Sequence, residues 1–192
     1  MKTLATLTAL TLSTLLWSCN TSPSDSKEVA EETNEARMDA AEDNGLSTRI
    51  YEEDAEFAVK AADGGLTEVQ LGQIALEKAS DQKVKDFAKN MLDDHKKANE
   101  ELKAIASRKD IALPAAPSED HVKTIADISE KSGKDFDKAY VKQMVKDHEK
   151  TVELFEDAQD EVKDAEMRAF IDKTLPVLRQ HLEHSKNLDK TK

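Results

Sequence analysis

The chain has little of what braces small extracellular folds. Cysteine occurs once, at Cys19, so no intrachain disulfide can form and the fold must hold in an oxidising compartment without one. Aromatic residues make up 4% of the 192 positions, and β-branched clusters bounded by turn residues are missing, which argues against a sheet. Long apolar runs are also absent, with one exception near the start, and a charged fraction of 35% excludes a membrane-embedded domain. No concentrated basic face exists, so nucleic acid is not expected as a partner. No nucleophile constellation, phosphate loop or paired-carboxylate cleft is recognisable, and the sequence leans away from an enzyme.

The exception is Leu4 to Trp17, which follows the lone charge of Lys2 and stops at Ser18-Cys19. It is shorter than the roughly 20 residues needed to span a bilayer and reads as a secretory signal. Leu16, Ser18 and Cys19 resemble the bacterial lipobox, which implies a signal peptide over residues 1–18 and a mature terminus lipidated at Cys19. An ordinary signal leaving a free thiol is the alternative. Acyl chains contribute about 0.8 kcal/mol per buried methylene, so two or three would tie the protein to a membrane. Asn20 does not resemble an inner-membrane retention aspartate, so the expected location is the outer membrane, with the domain in the periplasm.

From Asn20 to Glu56 there are twelve acidic and three basic residues, whereas Phe57 to Lys192 carry 28 acidic and 24 basic ones. The net charge of −12 therefore belongs mostly to the first segment. Residues 19–50 read as an acidic, flexible tether, although Lys27 to Asp43 could be helical at times, and residues 51–190 as the folded domain.

Beyond Phe57 the apolar positions recur at three and four, the spacing of amphipathic helices. A first helix is expected from about Tyr51 to Ala79, with Gly64-Gly65 as a kink point. A second, capped by Ser80, carries the stripe Val84, Phe87, Met91, His95, Ala98, Leu102 and Ile105. The stretch Ser107 to Gly133 holds Pro114, Pro117 and a short helix capped by Ser118. The third helix shows Phe136, Val141, Met144, His148, Val152 and Phe155. The fourth shows Met167, Phe170, Leu175, Leu178, His181 and Leu188, with a kink expected at Pro176. Phe87 to His95 aligns with Tyr140 to His148 at a constant offset of 53, which suits two parallel helices at equal depth. The expectation is an all-α, ferritin-like four-helix bundle with a long crossover between its second and third helices.

The chain also resembles the DUF4142 family. The resemblance is carried by Phe57-Ala58-Val59-Lys60-Ala61-Ala62-Asp63-Gly64-Gly65-Leu66-Thr67-Glu68-Val69-Gln70-Leu71-Gly72, by Asp93-Asp94-His95, by Gly133 to Tyr140, by Met144 to His148 and by Leu175 to Leu182. It implies a ferritin-like fold and an envelope location, and leaves activity open.

Of five histidines, His95, His148 and His181 fall on apolar stripes of three different helices. A buried imidazole needs partners, and a carboxylate, another histidine or a metal can supply them. Glu68 flanks the first helix at a matching depth. Against a di-iron site, the residues three before these histidines are Leu92, Val145 and Leu178, where ferritin-like sites use glutamate. His181 is placed about six residues nearer the bundle end than His148, some 9 Å away. Asp94 and Asp147 are expected to face solvent or a neighbouring basic residue, His121 and His184 to face solvent, and Met91 and Met144 to fill the core. Two readings stand. One is an envelope interaction or stress-protection protein with satisfied core histidines and an unknown protein partner. The other is a metal-binding or redox protein using Glu68, His95, His148 and His181 with a transition metal.

Overall fold

A computed structural model describes residues 25–43 and 51–191 of the chain, so Cys19, the leader and much of the expected tether lie outside the described residues. The described residues form six helices and no strand: α1 (Ser26–Asp43), α2 (Glu52–Lys78), α3 (Gln82–Lys109), α4 (Glu119–Ser129), α5 (Gly133–Glu161) and α6 (Ala165–Asp189). None of them is long and apolar enough to cross a membrane. Helix α2 packs on α3 and α5, and α6 packs on α5 and α3, while α4 leans on α2 and α5.

The expected boundaries need small corrections. Asp81 rather than Ser80 caps α3, accepting from the Lys83 amide at 2.8 Å. Ser80 instead gives its hydroxyl to Asp137. Ser118 stands at the N-cap of α4 as expected, although its side chain makes no cap bond and its backbone amide donates to Asp63 Oδ1 at 2.7 Å. Helix α2 continues through Gly64-Gly65 and α6 through Pro176.

Part of the span expected to be a flexible tether, Ser26–Asp43, is a packed helix. Its hydrophobicity is low, so apolar burial contributes little; the attachment is polar. Asn34, buried, donates to Ala112 O and accepts from Ala112 N, and Arg37 donates to the Asp110 carbonyl. A side-chain amide that satisfies both backbone groups of one half-buried residue replaces the solvent bonds that residue loses.

The two hairpins, α2–α3 and α5–α6, are built alike at an offset of 83 residues. Ala79 and Val162 end the first helix of each pair in the same extended conformation, and Asp81 and Asp164 cap the second. The Asp54 carboxylate accepts the amides of Lys163 and Asp164, and Asp137 accepts those of Ser80 and Asp81. Each hairpin's first helix thus caps the other hairpin's turn. Helices α3 and α5 run parallel as the offset of 53 requires, since Phe87 meets Tyr140 at 6.3 Å and His95 meets His148 at 5.5 Å between ring centroids.

The apolar interior is split in two. One cluster gathers Phe57, Leu102, Phe155, Met167 and Phe170, and the other Leu71, Phe87, Met91, Phe136 and Met144. Along every long helix the residues between the clusters are polar and buried: Thr67 and Glu68 on α2, His95 on α3, His148 on α5, His181 and Ser185 on α6.

Candidate metal centre

Glu68, His95, His148 and His181 belong to this polar layer, and each is placed by its helix's own stripe. The heptad-like spacing that buries Val84, Phe87, Met91 and Leu102 also buries His95, and the same holds for His148 between Met144 and Val152. The three imidazoles form a near-regular triangle, with every pair of ring centroids 5.5 Å apart. One nitrogen from each ring lies within 4.8 Å of one nitrogen from each of the others.

His181 therefore sits at the depth of His148, not 9 Å away. The turn falls at Val162–Asp164, which puts His148 and His181 at nearly matched distances from it; the remaining three residues amount to about 4.5 Å of rise, within the reach of an imidazole.

In His148 and His181 one ring nitrogen is hydrogen-bonded and the other is not. His148 Nδ1 lies 3.0 Å from the Met144 carbonyl oxygen, which can only accept, so Nδ1 carries the proton and Nε2 the lone pair. His181 Nε2 donates to Asp94 Oδ2 at 3.1 Å, leaving Nδ1 as the lone-pair nitrogen. His95 Nδ1 lies 3.1 Å from Glu68 Oε2, and Glu68 Oε1 lies 3.2 Å from His148 Nδ1. These last two approaches lack hydrogen-bond alignment. Among the described residues, His95 Nε2, His148 Nε2, His181 Nδ1 and both Glu68 oxygens are buried with no hydrogen-bond partner. Each such orphan costs about 1–3 kcal/mol, so the layer is a net expense to the fold when nothing fills it.

The electrostatics agree. Burial, with the charges of His148 and His181 second, holds the His95 imidazole well below its ordinary value. Burial and then His181 lower His148 to about 3, the Met144 carbonyl opposing. Burial lowers His181 as well, against the pull of Asp94. All three rings are thus neutral at neutral pH, the form that ligates a metal. Burial, reinforced by the charge of Asp147, pushes the Glu68 carboxyl well above the carboxylate range, so a cation beside it would favour its ionised form.

The donor set fits an ion that prefers imidazole: zinc, copper, nickel or iron. Nitrogens bound to one ion at about 2 Å lie no more than about 4 Å apart, so the 4.8 Å spacing must close slightly on binding.

Other expected positions resolve differently. Asp94 does not face a basic partner or solvent alone; it reaches across to His181, with Lys97 at 4.0 Å, because α6 arrives at the edge of α3 on which Asp94 stands. Asp147 Oδ2 is buried. His121 is half-buried against Asp63, 3.1 Å away, whereas His184 is exposed and lies edge-on to Phe87. Met91 and Met144 are fully buried in the apolar cluster, as core filling requires.

Among solved structures, the chain is similar to the DUF305 fragment from Deinococcus radiodurans, with a TM-score of 0.65 at 13% identity over 74% of this chain and 98% of that one. It is similar to CopM in the Cu(II)-bound form, with a TM-score of 0.62 at 17% identity, and in the Ag-bound form, with 0.60 at 19%, each over 72% of this chain and 96% of that one. At such identities the likeness is one of fold. No curated protein matches the chain. The family "Domain of unknown function (DUF4142)" matches residues 35–188, which is most of the chain, and the protein belongs to it.

Proposed function

We propose that this protein binds a transition-metal ion at His95, His148 and His181, with Glu68 supplying negative charge behind two of the rings and Asp94 orienting the third. The observation that carries the reading is the trio of buried imidazole nitrogens without partners, each on a ring whose other nitrogen is held or flanked by a fixed acceptor. Metal-bound histidines characteristically donate their second nitrogen in this way. CopM, whose fold is similar, has been crystallised with Cu(II) and with Ag, which favours copper as the first ion to try here. An ion would supply charge to neutralise Glu68 and would hold the four long helices together at mid-height. We read those helices as a ferritin-like bundle with α4 in the crossover, and the site as distinct from a di-iron one because Leu92, Val145 and Leu178 replace the usual glutamates.

The lipobox-like Leu16-Trp17-Ser18-Cys19 supports anchoring of the metal-binding domain to the outer membrane, facing the periplasm. Mass spectrometry of the mature protein tests this part: a diacylglyceryl mass on Cys19 is expected, and an unmodified thiol would refute it.

Elemental analysis and calorimetric titration of the purified chain with Cu²⁺, Zn²⁺ and Ni²⁺ test the metal reading. One equivalent should bind to the parent protein and none to a folded His95→Ala/His148→Ala double variant. Absence of binding, or binding retained by the double variant, would leave the alternative of an interaction or stress-protection protein.

A further inference from the structure

A buried centre needs a way in. Two cavities approach Glu68 from opposite sides, and they differ in what separates solvent from the ligand nitrogens. The larger system begins as a groove of about 640 Å³ bounded by Arg37 on α1, Ala62 and Leu66 on α2, Lys103 on α3 and the segment Ile111 to Ala115. Below it lies a chamber of about 20 Å³, room for one water, lined by Gly65, Glu68, His95, Thr151 and Thr174 with Phe155 and Phe170. Asn99 is the one residue that lines both.

Asn99 is seated by Gly65. A Cβ built on Gly65 would lie 2.1 Å from Asn99 Oδ1, so only glycine at this position lets the amide press against the α2 backbone. The Asn99 side chain makes no hydrogen bond among the described residues and is half-buried, so rotating it breaks no bond within the protein.

From the other side a cavity of about 140 Å³ runs past Lys60, His121, Asp147 and Lys150 to Glu68 and Thr151. Two lysines line it, and it reaches Glu68 without touching His95, His148 or His181. Passage there would require Glu68, a member of the centre, to move aside. Asn99 belongs to no part of the centre, and behind it stands His95, whose Nε2 has no partner.

Building on the proposed metal site, we infer that the α1–α2–α3 groove is the route by which a metal ion reaches the histidines, and that Asn99, seated on Gly65, is the gate between groove and chamber. A gate changes rates without changing the bound state. It slows entry and exit alike, and its removal leaves affinity where it was.

Stopped-flow absorbance with Co²⁺ as the probe measures entry, and transfer from the loaded chain to EDTA measures exit. In Asn99→Ala both rates should rise about tenfold, equivalent to about 1.4 kcal/mol off the barrier, with the equilibrium affinity within about twofold of the parent. Asn99→Gln, which keeps an amide over the passage, should restore slow exchange. Lys150→Ala, in the opposite cavity, should leave both rates unchanged. Unchanged rates in Asn99→Ala, or faster exchange in Lys150→Ala alone, would overturn the gate while the metal site stands. A parent chain that takes up no Co²⁺, Cu²⁺ or Zn²⁺ at equilibrium would remove the metal site and the gate together.

Discussion

Asp54 and Asp137 stand 83 residues apart and do the same work at opposite ends of the molecule. Each is a buried carboxylate near the start of its helix, and each accepts two consecutive backbone amides from the turn of the other hairpin. The amides they accept, Lys163 and Asp164 on one side and Ser80 and Asp81 on the other, are themselves related by 83. The hairpins are joined reciprocally, turn to helix, so the loss of either contact loosens one end of the body without disturbing the polar layer between.

Asp137→Ala should therefore lower unfolding free energy by about 2–4 kcal/mol, because two buried amides and the Ser80 hydroxyl lose a charged acceptor. Asp54→Ala, with two bonds at stake, should cost somewhat less. The two sites share no partner, so the double variant should be close to the sum. Urea denaturation followed by circular dichroism measures all three; no change in the midpoint for Asp137→Ala would refute the role assigned to it.

His148→Leu separates a functional histidine from a structural one. Its Nε2 has no partner, and its Nδ1 bonds a helix carbonyl that already accepts from the backbone four residues on. Replacing it with an apolar residue of similar size removes an orphan from the core. The metal-free variant should be as stable as the parent or more stable by up to about 2 kcal/mol, while metal binding is lost. A destabilisation of several kcal/mol in denaturant would mean that the imidazole is there for the fold.

The docking of α4 should depend on pH through His121 and Asp63. The Asp63 carboxylate raises the His121 imidazole above its ordinary value, burial opposing. Burial pushes Asp63 up, but the His121 ring 3.1 Å away and the bond from the Ser118 amide outweigh it and hold Asp63 below its ordinary value. A raised histidine stabilises the fold fully below its unfolded value near 6.5 and ceases to do so as pH rises through the folded value; a lowered aspartate contributes above its unfolded value near 3.8 and loses that contribution as pH falls through the folded one. The contact is thus strongest between about pH 4 and 6.5. Hydrogen exchange of α4 amides, corrected for intrinsic rates, should show greater protection at pH 5.5 than at pH 8.5. His121→Phe should abolish the difference, and equal protection in the parent chain would count against the pair.

Much of this molecule was legible in single residues. The three-and-four spacing fixed the helices, because burying one face of a helix demands that period, and it placed His95, His148 and His181 on buried faces before any neighbour was known. The offset of 53 between Phe87-to-His95 and Tyr140-to-His148 gave the equal depth of α3 and α5. Glu68 and His95 stand 12 and 15 residues from Ser80, which puts them at nearly one level in an antiparallel pair.

Other features belong to no one segment. Which carboxylate meets His181 depends on the azimuth at which α3 faces α6, and a sequence stripe defines the buried arc without saying which neighbour covers its edge; hence the stripe alone points Asp94 to solvent or a base, and the fold turns it to His181. The level of His181 hung on a turn of three residues, where an error of a few positions moves a side chain by several ångströms. Helix α1 is held by contacts far apart in sequence, among them the Asn34 amide on the backbone of Ala112 across 78 residues and Arg37 on the Asp110 carbonyl across 73, which composition does not register. The amino-acid order determined which side chains the protein buries; tertiary packing decided which of them meet, because distance between helices is set by all the residues in the interface at once.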